Sequence, residues 1–559
     1  MRPVFTVILI LACFSALFLC CYAPVFLHDR QFGFRDAGHF YYPLHERVQK
    51  EWTEGRWPLW EAEENAGMPL LGNPTAAVLY PGKLVFALLP YKLAARLYIV
   101  AHSVLAFCAM LVLMRSWGIS WAGSGLSALS YTFGAPILFQ YCNIIYLVGA
   151  AWLPLGMHAV DRWVRLGRRW AIFELAVVLG MQVLGGDPQS AFLLGIAGLG
   201  YALALVWART RGDALGNLNA VGARPPSSRR GGPVILATAV GLFAVWFIAT
   251  VMLGALLPKL RPPHDRPPTP PLPWMPWMPY LVTAVWLLGG ALFLYRWRGR
   301  AWRFPLGAMW LGLAISAALA IAATAAQLFP VVEFTQQTTR AAHEGTHELY
   351  AFSVEPYRLI EMIWPNVWGA QFGGNTYWAV LIRMPGSFTK IWVPSLYLGG
   401  MTFVLAISVF AFRKGPPWRV WLSVIVVLSI IGGLGEYTSP IWLTRAFATM
   451  SRSAVVKDTA ASLGPVDTFD SRTIRQDGFL RDGDGSIYWW MATFLPGFGQ
   501  FRFPAKLFTF TALGLAALAG LGWDRLCGGR IRPTFRKPSR SKMRFAAAGA
   551  EDDVWRLSR

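Results

Sequence analysis

Charge is what this sequence has least of: Asp, Glu, Lys and Arg together make up 14% of its 559 residues. A soluble chain of that length buries a large core while keeping about a quarter of its residues charged. The shortage therefore argues against a fully solvated protein. Acids are the scarcer sign, 29 against 51 Lys and Arg, for a formal charge of +22. The cations fall in short clusters between apolar runs, the pattern of cytoplasmic membrane flanks, and no nucleic-acid partner is expected. Cysteine is sparse too. Cys13, Cys20, Cys21, Cys108, Cys142 and Cys527 lie in or beside apolar segments without a CxxC pair, which leaves no disulfide framework and no thiolate metal site to read. No repeat of fixed period is present. The amino-terminal run lacks small residues at a cleavage point, and Leu19 is too bulky for the lipoprotein box that Leu17-Phe-Leu-Cys20 otherwise resembles. It reads as an uncleaved first span.

Apolar runs of bilayer-spanning length are abundant, and mean hydropathy is +0.42. Candidate spans are 4–27, 93–114, 121–139, 144–160, 171–184, 191–207, 234–257, 280–295, 305–329, 391–412, 420–434 and 507–526. The fold class expected is an all-α polytopic membrane bundle of about twelve helices. Residues 84–89, stopped by Pro90, should dip into the interface without crossing. With Arg2 inside, alternation puts Arg115, Arg162 to Arg169, Arg209 to Arg230, Arg296 to Arg303, Arg413 to Arg419 and the basic tail 528–559 on the cytoplasmic side. Only Lys259 to Arg266 falls outside. Both termini are then cytoplasmic, and the tail reads as disordered.

The same alternation divides the chain. Residues 1–27 form a first helix and 28–92 an extracytoplasmic loop. Residues 93–329 are a bundle with a Pro/Arg-rich cytoplasmic loop near 209–232. A second outer loop spans 330–390, a helix pair 391–434, a third outer loop 435–505 and a last helix 506–527. Function is expected on the outer face, where all the long mixed polar and aromatic loops emerge.

The first of these loops is the most informative. After Asp36, residues Tyr42, His45, Val48, Gln49 and Trp52 share one helical stripe, with Glu46, Arg47, Lys50 and Glu51 elsewhere, as in a helix lying in the headgroup layer. Gly55 should end it, before a Trp-rich coil returns to the membrane at Tyr80-Pro81. Asp36 fits two roles, an N-cap for the segment from Ala37 or a general base at the membrane surface. Glu61, Glu63 and Glu64 read as solvated loop.

Gly55-Arg-Trp-Pro58-Leu-Trp60, Asn65-Ala-Gly67-Met-Pro69 and Tyr80-Pro81, following an acid after the first span, resemble the opening loop of YfhO-type bacterial membrane proteins of the GT-C glycosyltransferase superfamily. Gly186-Asp-Pro188-Gln189 is similar to that family's Gly-His-Pro-Gln turn, with Asp187 replacing His. Gln327-Leu-Phe-Pro330 with Arg340, and Phe501-Arg502-Phe-Pro504-Ala-Lys506, resemble two further stretches. The family's members are usually longer, so the resemblance implies a shortened carboxyl-terminal region.

This resemblance implies a multi-pass protein of the bacterial inner membrane that moves a sugar from a polyprenyl-phosphate carrier to an extracytoplasmic glycan or protein. Asp36 would be the catalytic base. Arg340, Arg502 and Lys506 would hold the donor phosphate, with Arg383 and Lys390 as further outer-face cations. Tyr42, Trp60, Asn65, Asn73, Tyr80, Asp187 and Gln189 would contact substrate, and Trp57, Trp364, Trp368 and Tyr377 offer stacking faces or an interfacial belt. No cofactor is specified. Because Asp36 has no adjacent second acid, a divalent cation is left open.

Two rival readings need weighing. A transporter or flippase of a lipid-linked substrate would share such a groove, but the chief acid within a span, Glu174, lies near an end. His343-Glu344-Gly-Thr-His347 spells the H-E-x-x-H zinc-protease signature. Gly345 weakens its helix by about 1 kcal/mol, and Glu361 is the best third ligand on offer.

Overall fold

The computed structural model describes residues 3–63, 67–211, 306–338, 350–369, 392–412, 416–438, 486–495, 498, 501 and 503–528. The expected spans 234–257 and 280–295, the 259–266 cluster, the H-E-x-x-H stretch and residues 529–559 lie outside them. Among the described residues the chain is mostly helical, and six helices are long and apolar enough to cross a membrane.

Helix α1 is Pro3–Leu27. In the opening loop, a π-helical turn Ala37–Tyr41 runs directly into α2, Tyr42–Thr53, and Gly55 follows with φ +73°. A two-residue ribbon pairs β1, Trp60–Glu61, antiparallel with β2, Met68–Pro69. The short α3, Leu84–Leu88, stops before Pro90. Then come α4 (Tyr91–Ser116), α5 (Trp121–Phe133), α6 (Ala135–Leu138), α7 (Ile144–Leu166), α8 (Trp170–Leu184) and α9 (Pro188–Arg211). Beyond residue 305 lie α10 (Leu306–Gln336), α11 (Gly400–Ser408), α12 (Pro417–Gly433), α13 (Ile487–Phe494) and α14 (Phe508–Leu526).

Helix α14 is the axis of the bundle. It packs against α5, α11 and α12, and its most apolar stretch is buried throughout, whereas that of α1 is almost wholly exposed. Small residues make the close approach possible: a Cβ on Gly520 would run into the backbone of Gly123 on α5. Asp524 clamps the same seam, accepting from the Ser120 backbone N–H at 2.7 Å.

Two expected spans differ from the observed helices. The run 121–139 breaks at Gly134, whose extended backbone (ψ 136°) and following Pro136 end α5 and start α6. The turn Phe139–Asn143 then leads into α7. Of the expected span 391–412, among the described residues 392–412 only Gly400–Ser408 is α-helical, because Pro394 and Gly399 (φ +102°) hold residues 392–399 irregular.

Alternation groups the helix ends. The opening loop, the turn 185–187 and residues 350–363, 392–399 and 503–507 meet at one end of the bundle. Gly186 abuts Pro74, Gly72 abuts Pro330 and Phe334, and Val354 N–H donates to the Gly433 carbonyl at 3.0 Å. Arg165 marks the opposite end, where it donates to the Ser116 carbonyl and pairs with buried Asp161. Arg115, Arg168, Arg169 and Arg525 belong to that basic end too, as does Arg162, which pairs with Glu174.

The amphipathic reading of α2 needs amendment. His45 and Val48 are buried and Tyr42, Gln49 and Trp52 half-buried, but protein covers this face: Gln49 donates to the α3 carbonyls of Phe86 and Leu89, and Tyr91 donates to the Tyr42 carbonyl. Nor are Glu51 and Glu61 solvated. Both are buried, because Arg47 gathers Glu51, Glu61 and Glu63 at 3.3, 3.2 and 2.7 Å.

Candidate active site

Asp36 ends an irregular connection whose Arg35 adopts φ +54°. Its backbone is already helical (φ −58°, ψ −24°) and its side chain makes no capping hydrogen bond. The carboxylate is exposed. Of the two roles open in the sequence, capping is not performed.

One turn later the chain buries Tyr41. Burial first, then Tyr146, Asp36, Asp187 and Cys142, hold its hydroxyl well above the usual tyrosine range. Two acids about 150 residues apart therefore bear on one phenol. Asp187 reaches this point because Gly186 (φ +89°) turns the chain tightly, with Pro74 of the opening loop against it. Asp187 caps α9, accepting from the Ser190 backbone N–H at 3.0 Å and the Ser190 hydroxyl at 2.5 Å, with Pro188 at the first helical position. Its carboxylate also accepts from the Lys506 ammonium. Both partners are buried, and Lys506 lies 4.1 Å from the centre of the Tyr146 ring.

Lys506 is thus committed to Asp187. Gln189, one residue into α9, faces the buried Tyr488. Around Lys506 and Arg35 stands a wall of rings: Trp392 packs on Tyr146 (4.9 Å) and Phe503 (5.6 Å), and Phe352 on Phe503 (5.0 Å). Phe503 itself holds φ +73°, an uncommon conformation for an aromatic residue. Arg35 lies over Phe352 and donates to the Trp392 carbonyl at 2.9 Å. Arg358 and Glu361 form a buried pair at 3.0 Å nearby, and Arg358 donates to the Val393 carbonyl.

Other sequence-proposed residues lie elsewhere. Tyr80 is interior: the Trp152 indole donates to its hydroxyl at 3.0 Å, and His102 Nε2 lies 2.7 Å away. Burial pushes its pKa up to about 12. Asn73 caps its own turn, accepting from the Thr75 N–H and hydroxyl. Trp60 is 54% exposed and lies across Gly67 on the ribbon. Tyr42 is half-buried against Tyr91. Arg340, Arg502, Asn65, Arg383, Lys390 and Tyr377 fall outside the described residues, as do His343, Glu344 and His347. Among the described residues no group of three or more His, Cys, Asp or Glu side chains stands together to hold a metal ion.

Sequence reasoning missed Arg35, Tyr41, Tyr146, Ser190 and Trp392. Only Arg35 carried a signal, a cation directly before the singled-out acid. Comparison of the chain with protein-family models, with curated proteins and with solved structures finds no match.

Proposed function

We propose that this chain is a membrane glycosyltransferase that moves a sugar from a polyprenyl-phosphate carrier to an acceptor at the extracytoplasmic surface of a bacterial inner membrane. One observation carries the reading: the exposed Asp36, which caps nothing, follows Arg35, whose bond to the Trp392 carbonyl sets it beside the Tyr146 ring faced by the buried Asp187–Lys506 pair, at the end of the bundle opposite Arg165.

In the proposed reaction Asp36 accepts the proton of the acceptor hydroxyl as that oxygen bonds to the anomeric carbon, while the bond to the lipid phosphate breaks. Next to Arg35 and nine residues beyond α1, the carboxylate is assigned to the point where a lipid-linked sugar would meet water. Arg340 and Arg502 are assigned to the departing phosphate. Lys506, already bound by Asp187, is assigned to fixing the floor of the site. The exposed Trp57 and Trp60 offer stacking faces for a sugar.

A second reading has support from the Asp187–Lys506 pair itself, since a buried ion pair at a span end is also what carriers use. Purified protein in liposomes, supplied with a labelled polyprenyl-phosphate sugar and candidate acceptors, separates the two. Sugar transfer without net movement of the donor lipid supports the enzyme; movement without transfer overturns it in favour of a flippase.

A further inference from the structure

Beneath α2, one ring away from the site above, since His45 packs 5.9 Å from Tyr41, Lys83 and His45 share one pocket, and each is 1% exposed. Lys83 closes the turn Pro81–Lys83 that leads into α3, and His45 descends from α2. The two straddle the same pair of rings. Lys83 Nζ lies 5.0 Å from the centre of Phe86 and 5.3 Å from that of Tyr98, and the His45 ring 5.4 and 6.0 Å from them. Among the described residues no protein atom bonds Lys83 Nζ or either ring nitrogen of His45. Among the described residues the other titratable groups facing the pocket are Tyr41 before α2, 5.9 Å from His45, Tyr80 from the loop, and His102 and Tyr98 from α4, and no carboxylate is set against the lysine. Burial holds Lys83 well below the usual lysine range, and burial, then Lys83, does the same to His45.

A lysine and a histidine buried side by side without a counter-charge are costly to ionise. Their donors match one partner class, an anion with several acceptor oxygens. The pocket also adjoins lipid, since α3 turns Phe86 inward while Leu84 and Leu88 are 58% and 79% exposed. Gln49 and Tyr91 tie α2 to this side by three hydrogen bonds, while Leu44, Val48 and Arg47 fasten its other side to the opening loop, so α2 lifts with that loop.

We propose that Lys83 and His45 form a binding site for a phosphate or diphosphate group at the membrane surface, entered when α2 lifts from α3. The site goes beyond the proposed sugar transfer and does not require it, because binding is read without turnover. An anion that enters draws protons onto both side chains, so binding takes up protons and weakens as pH rises.

Calorimetry on the full chain in phosphatidylcholine nanodiscs tests this, with geranyl phosphate, inorganic phosphate and inorganic diphosphate as probes in two buffers of different ionisation heat. The expected result is saturable binding of at least one probe with net proton uptake, weakened at least tenfold in Lys83→Met and unchanged in Lys92→Met, an exposed neighbour. His45→Phe gives the same test should Lys83→Met not fold. Geranyl phosphate binding tenfold tighter than the inorganic ions assigns the site to a lipid headgroup, and comparable binding assigns it to free phosphate. No saturable binding of any probe, or equal binding by wild type and both pocket variants, overturns the proposal.

Discussion

The Asp187 carboxylate caps the helix that follows it and accepts the Lys506 ammonium, so its removal strikes twice. Asp187→Ala leaves a buried lysine unpaired, a loss of about 3–5 kcal/mol, and should lower the yield of folded protein as well as activity. Asp187→Asn combined with Lys506→Met removes both charges and keeps capping ability. Thermal unfolding should therefore show the double variant recovering most of the stability that Asp187→Ala loses; equal melting of the two would remove the ion pair from the account. Lys83 and His45 make the opposite kind of prediction. Both are held below their ordinary pKa values in the docked loop. The undocked loop therefore binds more protons wherever pH lies between the docked and ordinary values, and docking tightens as pH rises through those windows. The trend should level off above the ordinary lysine range. Amide hydrogen exchange in α2, corrected for its intrinsic pH dependence, should show protection growing from pH 6 to pH 9 in wild type and much less in Lys83→Met. A flat wild-type profile would contradict it.

The longer helices were legible because hydropathy marks them directly. Expected spans 93–114 and 507–526 correspond to α4 and α14 within a few residues, and the short apolar run 84–89 holds the short helix α3. The break at Gly134 and the irregular 392–399 were not, since their apolar side chains hide a backbone set by Gly and Pro. The opening loop was half legible. Its helix and the Gly55 stop could be read, yet the cover over its apolar face comes from α3 and α4, and Arg47 buries carboxylates that look solvated in sequence. The site shows the same limit: Asp187 and Lys506 are 319 residues apart, and spacing says nothing about such a pair. Gly186 is the element on which this assembly turns. Its positive φ disfavours any side chain, and a Cβ there would come within 2.5 Å of the Pro74 carbonyl oxygen. Gly186→Ala should cost about 1–3 kcal/mol and expose the opening loop to protease. Unchanged digestion would show that the turn and the loop are not coupled.

Across the whole molecule, the described helices alternate so that the opening loop, the capped turn and the aromatic wall share one end and the arginine clusters the other. By the positive-inside rule the arginine end is proposed to be the cytoplasmic one. Single cysteines at Glu63 and Arg168, in a background freed of the six native ones, should be labelled by an impermeant thiol reagent from opposite sides, Glu63 from outside. Labelling of both from one side would undo the alternation. The proposed chemistry depends most on Asp36, and Asp36→Asn isolates it, because the amide keeps the size but cannot take up a proton. Since Asp36 makes no capping bond, stability should not change. With a polyprenyl-phosphate sugar donor and purified protein in liposomes, the account predicts normal folding and donor binding, with turnover falling about a hundredfold or more. An Asp36→Asn protein that transfers sugar at the wild-type rate would contradict it.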